Sequence, residues 1–421
     1  MTTSFSSRPS TYIGPRSMIE IFICKLLLTI MIRSPRVRVA FNDDEDNGDA
    51  EFDFVLLPPR FWTVIKIMAL PNLWVGESFT AGAWYLRKGD LSDFLEAIRK
   101  DAPGGFERYY RFTAALRGLR HYLGQHLLSR YYTRKVKRHY DVDSRIYEMI
   151  LDPEMLYTCA FFEEANETLQ VAQGKKLAAA LSRMNLPQGP AKVLDIGCGW
   201  GAMARAVVRE YPCAEVCGLS ISKNQIDWAA RRDSQVLAAD QFCRIEYHLE
   251  DYVDHNRSKF YDGISVIGMI EHVGLTGYDT FFGCVYKFLK PGGTALVHTI
   301  VSPIPADPTN RWIDRHIFTG GYAPSVSELT RAIERYPFRI AGLYIYRPRH
   351  YRRTIECWLQ NFRSNVSGVS SYLRTLGEPE IKIEKFIRTW LFYLSGVRNM
   401  FSEEDSQSHQ VVQFAITKVG S

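Results

Sequence analysis

One feature constrains this chain most. A short apolar run, residues 193–196, leads straight into Gly197-Cys198-Gly199-Trp200-Gly201 and then into a helical stretch, residues 203–211. Glycine lets a backbone turn tightly and lets a ligand approach it, so a strand–turn–helix of this kind sets bare main chain at the carboxyl edge of a sheet. Further strand-like runs alternate with helical ones at 215–219, 244–248, 262–267, 294–300, 338–346 and 411–419. This alternation predicts an α/β fold with a Rossmann-like, mostly parallel, seven-stranded sheet. The run at 215–219 is read as a candidate for an antiparallel strand at the sheet's edge.

The loop also limits the ligand. Its spacing is GxGxG rather than the GxGxxG of dinucleotide sites, and Asp195 precedes the first glycine. A dinucleotide site expects a ribose-binding acid about 20 residues on, but here the second strand ends in Ser220-Ile221-Ser222. An acid comes after the third strand instead, as Glu250-Asp251, placed to accept a bond from an adenine amino group. S-adenosylmethionine (SAM) fits this pattern better than a nicotinamide cofactor.

With 421 residues, two domains are expected. A formal charge of +6 does not indicate nucleic-acid binding, yet it is compatible with an anionic surface as partner. The eight cysteines form no CxxC pair, which implies free thiols in a reducing compartment and no metal site. Residues 18–32 are apolar but interrupted by Glu20, Lys25 and Thr29, so they read as a packed or interfacial helix, too short for a span. With the acidic run at 42–53, residues 1–57 read as an extension and linker. Residues 58–101 read as helical, with Leu91, Phe94, Leu95 and Ile98 on one face. Residues 108–138 carry nine Lys or Arg and no acid among many aromatics. Three readings stay open for them: a headgroup-binding patch on an anionic bilayer, a helix that packs its aromatics inward, and, less favoured because no nucleic-acid motif accompanies the patch, RNA binding.

Several motifs then occur in order: His139-Tyr140-Asp141, Leu151-Asp152-Pro153, Tyr157-Thr158-Cys159-Ala160, the glycine loop, Ser220 through Gln225, Glu271-His272-Val273-Gly274, His298-Thr299-Ile300, and His350-Tyr351 with Thr354 and Trp358. Together they resemble the cyclopropane-fatty-acyl-phospholipid synthase and mycolic acid cyclopropane synthase family, from about Phe61 onward. The resemblance implies addition of the SAM methyl carbon across a cis double bond of a lipid acyl chain, followed by ring closure. It implies a bound bicarbonate as base, held by Cys159, Glu271, His298, Ile300 and Tyr351. It places Tyr157, Thr158, Asp195, Gly197, Gly199, Trp200, Gly201, Ser220, Gln225, Glu250 and Asp251 around the cofactor.

Each of these residues also has a plainer reading: Glu271 as a helix cap, His298 or Cys159 as core, Tyr351 as part of a basic surface strip, Trp200 as an aromatic at a helix start. The family's usual small residue and Asn or Asp after His139-Tyr140-Asp141 give way here to Asp143-Ser144, and a cysteine common near the C-terminus is Val397. Gly76, Gly82, Trp84 and Gly89 resemble the small helical domain of the phospholipid-acting members. The expected domains are thus 58–137, helical and lipid-associated, and 138–421, catalytic. A homodimer is implied, acting on unsaturated phospholipids from the cytoplasmic face of a membrane. The competing expectations are a lipid C-methyltransferase leaving a methyl or methylene branch, a small-molecule N-methyltransferase, and a non-catalytic lipid-binding protein.

Overall fold

The computed structural model describes residues 18–32, 34–41, 49–57, 61–101, 143–305, 309–405 and 408–420, which fall into two compact units. The basic aromatic stretch at 108–138, the His139-Tyr140-Asp141 motif and residues 42–48 of the acidic run lie outside the described residues.

The first unit combines the described residues up to 101 with 310–312 and 370–399. Strands β1 (Val37–Phe41), β2 (Phe52–Leu56) and β3 (Trp84–Lys88) form a sheet in that order, β1 parallel and β3 antiparallel to β2. The rings of Phe54 and Trp84 are 4.8 Å apart in its core, with Phe94 stacked 5.8 Å from Phe54. Two expectations change here. Residues 1–57 are more than extension and linker, because β1 and β2 are core strands. Asp53, which reads from sequence as the end of an acidic run, is buried because Arg38 (2.8 Å) and Arg87 (3.5 Å) neutralise it. In addition, the helix Glu380–Arg398 brings Leu391 and Phe392 into this same core, so 370–399 leave the expected catalytic domain. The helix Met18–Ile32 buries Cys24, Leu28 and Ile32. Among the described residues no helix is long and apolar enough to cross a membrane.

The second unit holds the seven-stranded sheet. Its strands are β4 (Ala191–Ile196), β5 (Ala214–Ser220), β6 (Ile245–Leu249), β7 (Tyr261–Ile267), β8 (Leu289–Val301), β9 (Phe338–Tyr346) and β10 (Gln410–Lys418), ordered β6-β5-β4-β7-β8-β10-β9. The antiparallel strand is β10, paired with both β8 and β9. The candidate at 215–219 is instead β5, parallel to β4 and β6. The helix Lys223–Val236 carries the chain back between β5 and β6, and such a crossover makes parallel neighbours. Leu194 and Ile196 pack on one face of the sheet, Val193 on the other, as expected of strands covered on both sides. The strand order reverses at β4, so a crevice opens beyond the carboxyl ends of β4 and β7.

Candidate active site

A cavity of about 260 Å³ lies at that crevice. Every parallel strand from β4 to β7 delivers a segment to its wall: residues 195–200 after β4, Ser220 and Gln225 after β5, 250–253 after β6, and Gly268, Met269 and His272 after β7. Residues 155–158 complete the lining.

The glycine loop is built as its sequence demands. Gly197, Gly199 and Gly201 all have positive φ, at 74°, 53° and 82°. A Cβ at Gly197 would lie 2.8 Å from the Met269 side chain, whereas one at Gly199 would meet nothing within 4 Å. The N–H groups of Gly197 and Cys198 both donate to the Leu219 carbonyl, at 2.9 and 3.0 Å. Those amides are therefore engaged by the sheet and do not form a phosphate cradle, which accords with the spacing argument against a dinucleotide. Gly201 is not in the cavity wall. It starts the helix Ala202–Glu210, where a Cβ would strike the Tyr247 hydroxyl at 2.2 Å.

The other expected cofactor residues line the cavity, each held in place. Asp195 is buried; Oδ1 accepts from the Ser265 hydroxyl (2.6 Å) and Oδ2 has no partner. Burial pushes its carboxyl up to about 6, against the pull of the Ser265 bond and Lys176. Trp200 Nε1 donates to Ser144 Oγ (3.2 Å), and Ser144 donates on to Asn224 (3.1 Å). Asp143 caps the helix Ser144–Glu148 by accepting from Arg145 N–H. The departure Asp143-Ser144 thus has a local purpose, since it caps a helix and holds the tryptophan beside the loop. Ser220 Oγ donates to Gln225 Oε1 (3.1 Å), Glu250 pairs with His255 (3.2 Å), and Asp251 Oδ1 accepts from Val253 N–H (3.2 Å).

The expected base site lies along β8 and the turn after β7. His298 and Ile300 are two apart on β8 and so face the same side. Glu271 sits in the 3-10 turn Ile270–His272, whose Glu271 carbonyl accepts from Tyr322 N–H (2.8 Å). The Ile300 N–H donates to Glu271 Oε1 (2.8 Å), while the buried Oε2 accepts no hydrogen bond. Burial raises the Glu271 carboxyl above the ordinary glutamate value, more than the Ile300 bond lowers it. His298 is buried and held neutral, first by burial and then by Lys176 and Arg183. Cys159 is buried, with its thiol pushed far up by burial, so it is no thiolate; the next amide, Ala160 N–H, donates to Thr354 Oγ1 (3.0 Å). Thr354 and Tyr351 share the helix Pro348–Ser364, and the rings of Tyr351 and Tyr157 both pack on Trp358.

Sequence reasoning missed Gln413. It pairs with His298 across the β8–β10 ladder, and its Nε2 lies 3.1 Å from His298 Nδ1. Arg183 donates to Gln413 Oε1, which turns the amide NH2 toward the histidine. Nδ1 then accepts, and the ring proton sits on Nε2. A glutamine inside an apolar strand was the available signal, but its partner is 115 residues away. Gly268 and His272 were missed as lining residues too; a glycine directly after β7 was the clue.

A mostly parallel seven-stranded sheet with one antiparallel strand next to its edge, and a glycine loop at its switch point, defines a SAM-dependent methyltransferase. The family model described as mycolic acid cyclopropane synthetase matches residues 128–411, and the chain belongs to that family. It is 30% identical over 369 residues to the cyclopropane-fatty-acyl-phospholipid synthase of Escherichia coli (strain K12), covering 87% of this chain and 88% of that one. Among solved structures, the cyclopropane synthase MmaA2 from Mycobacterium tuberculosis superposes with a TM-score of 0.59 at 28% identity, covering 68% of this chain and 98% of that one. The mycolic acid cyclopropane synthase CmaA1, solved with SAH and CTAB, gives 0.59 at 28% identity, covering 67% and 97%.

Proposed function

We propose that this chain is a cyclopropane-fatty-acyl-phospholipid synthase, closing a three-membered ring on the cis double bond of an unsaturated phospholipid acyl chain. When bound, SAM would supply an electrophilic methyl group, its sulfur keeping the electron pair of the broken S–C bond as S-adenosylhomocysteine. The alkene's π electrons form the new C–C bond, the neighbouring carbon becomes cationic, and ring closure uses the electrons of a methyl C–H bond as its proton leaves. An alkene is a poor nucleophile, so a dry, oriented pocket is required.

The observation that carries the reading is Glu271: one oxygen is fixed by Ile300 N–H and the other is buried without a partner. That donor set suits a bicarbonate ion, whose hydroxyl needs an acceptor and whose charged oxygens need donors. Glu271 Oε2 answers the first need; the His298 Nε2–H and the Tyr351 hydroxyl answer the second. Bound there, the ion would supply a base beside the acyl chain. The aromatic face of Tyr351 suits a neighbouring cation. Asp195, Gly197, Gly199, Trp200, Ser220, Gln225, Glu250 and Asp251 are assigned to the cofactor, with Tyr157 and Thr158 closing over it.

The 87% coverage of the phospholipid-acting relative supports a whole phospholipid as substrate. The exposed Arg347 and Arg349 near Tyr351 support contact with an anionic membrane surface. A homodimer on the cytoplasmic face completes the proposal, by resemblance. The test is mass spectrometry of lipids from cells expressing wild type or Glu271→Gln, fed methyl-labelled methionine. A gain of one methylene with loss of the double bond, collapsing in the variant, is expected. A branched methyl product would move the chain to the C-methyltransferase reading. No labelled lipid with cofactor binding intact would overturn the substrate class.

A further inference from the structure

The helix Leu169–Met184 sends two polar side chains inward where an amphipathic helix ordinarily sends apolar ones. Gln173 and Lys176 are both buried, and Lys176 has no exposed surface. Three positions apart, they share a helix face. Gln173 Nε2 donates to the carbonyls of Leu156 (3.2 Å) and Thr158 (2.9 Å), and Lys176 Nζ donates to the Thr158 hydroxyl (3.0 Å). One face of this helix therefore grips both the backbone and a side chain of the segment 156–158, which walls the cavity.

The grip has acidic neighbours. The carboxylates of Asp152 and Asp195 act on the ammonium through their charge, and the ammonium acts in turn on His298. Asp152 organises the same segment from the other side: Oδ1 accepts from Leu156 N–H (2.9 Å) and Oδ2 from Glu154 N–H (3.0 Å). Asp195 immediately precedes the glycine loop. On its outer side Thr158 is tightly seated, since a Cβ at Gly268 would lie 2.5 Å from its methyl carbon. A buried ammonium is costly, and a methionine of the same length would fill the space without that cost. The placement calls for a function beyond packing.

We propose that Lys176 is a positioning residue for the cofactor: its ammonium, bonded to the Thr158 hydroxyl beside the Gln173 bonds to the Leu156 and Thr158 carbonyls, holds the 156–158 wall of the cavity in place. The inference rests on the assignment of this cavity to SAM. It makes cofactor affinity depend on a charge that touches no cofactor atom. Burial lowers the Lys176 ammonium to about 8, against the pull of Asp152 and Asp195, so its charge is lost in mildly alkaline solution. Once neutral, it no longer gives the Thr158 hydroxyl a charged donor.

Calorimetric titration with S-adenosylhomocysteine tests this, using wild type, Lys176→Met, Thr158→Val and Gly197→Val from pH 6.5 to 9.5. At neutral pH, Lys176→Met and Thr158→Val should each bind roughly tenfold more weakly, the effect of one hydrogen bond to a charged group. The advantage of wild type over Lys176→Met should shrink as pH rises through 8, whereas Thr158→Val, which keeps the ammonium, should follow the wild-type profile. The ligand's own amino group titrates equally against every variant. Folded Lys176→Met that binds within twofold of wild type would overturn the proposal. If Lys176→Met does not fold by circular dichroism, Thr158→Val decides, and unchanged affinity there overturns it equally. Gly197→Val separates the two readings: wild-type binding in that variant would remove the cofactor site itself, while its loss beside an unaffected Lys176→Met removes only the positioning role.

Discussion

The proposed active site has two ends made of different materials. At the cofactor end the turn of the loop is a backbone device: Gly197 and Gly199 with positive φ, and a Leu219 carbonyl that accepts from two amides. At the proposed base end the groups are side chains outside the cavity wall, Glu271 and His298, whose protonation is set by burial, by the Ile300 N–H and by Lys176 and Arg183. Backbone geometry either admits a ligand or excludes it. A buried acid–base group can keep its shape and lose its chemistry. Substitutions at the two ends should therefore separate binding from turnover.

The largest separation is expected at Glu271. Glu271→Gln keeps the shape and the bond to Ile300 but replaces an acceptor oxygen by a donor, and turnover on unsaturated phospholipid vesicles should fall about 10²–10⁴-fold. S-adenosylhomocysteine affinity should stay within twofold. The carboxylate is the working form and its pKa is raised, so wild-type activity should fall on acidification at a pH above the ordinary glutamate value of 4.5. A rate–pH profile in which the Gln variant retains that acidic limb would remove Glu271 from the base site. Gly197→Val is the converse. A β-branched residue at φ 74°, with its Cβ 2.8 Å from Met269, should weaken cofactor binding roughly a hundredfold or more. Should binding survive while turnover is lost, the division between the two ends fails.

The same contrast explains what could be read in the sequence. The sheet, the loop and its exclusion of a dinucleotide were legible because each depends on a local pattern: an apolar run, glycine spacing, an acid after a strand. The glutamate and histidine were nameable only through the resemblance, since Leu296-Val297-His298-Thr299-Ile300 on its own reads equally well as core. Long-range partners were not legible. Gln413 and Lys176 look ordinary until strand pairing and helix docking place them against residues far away in the chain. The β5 orientation was misjudged because strand direction is set by the crossover that follows, not by the strand's composition. The first unit's claim on 370–399 was hidden for a similar reason: Ile383, Ile387 and Trp390 form a helical stripe that would suit either unit.

A smaller effect is expected at Gln413, which acts on the base end only through His298. Gln413→Leu removes the donor to His298 Nδ1 while keeping the strand apolar and the Arg183 stack on Tyr344. With the tautomer no longer fixed, kcat should drop about tenfold, as for loss of one oriented hydrogen bond. KM for SAM should not change, and the pH dependence of kcat should shift. A rise in KM with kcat intact would instead place His298 at the cofactor end.

Ser144 gives the smallest effect and sharpens the comparison most, because it supports Trp200, the large side chain of a glycine loop otherwise made of backbone. Ser144→Ala leaves the nearly buried indole N–H without its acceptor, a loss of about 1 kcal/mol or somewhat more. If Trp200 is held for the cofactor, that loss should appear as roughly fivefold weaker S-adenosylhomocysteine binding, with turnover at saturating SAM unchanged. If the indole only packs on Tyr147, the whole effect should fall on the melting temperature, and affinity should stay as in wild type. The second outcome would leave the glycine loop acting through its backbone alone, with Asp143-Ser144 a device for folding and not for binding.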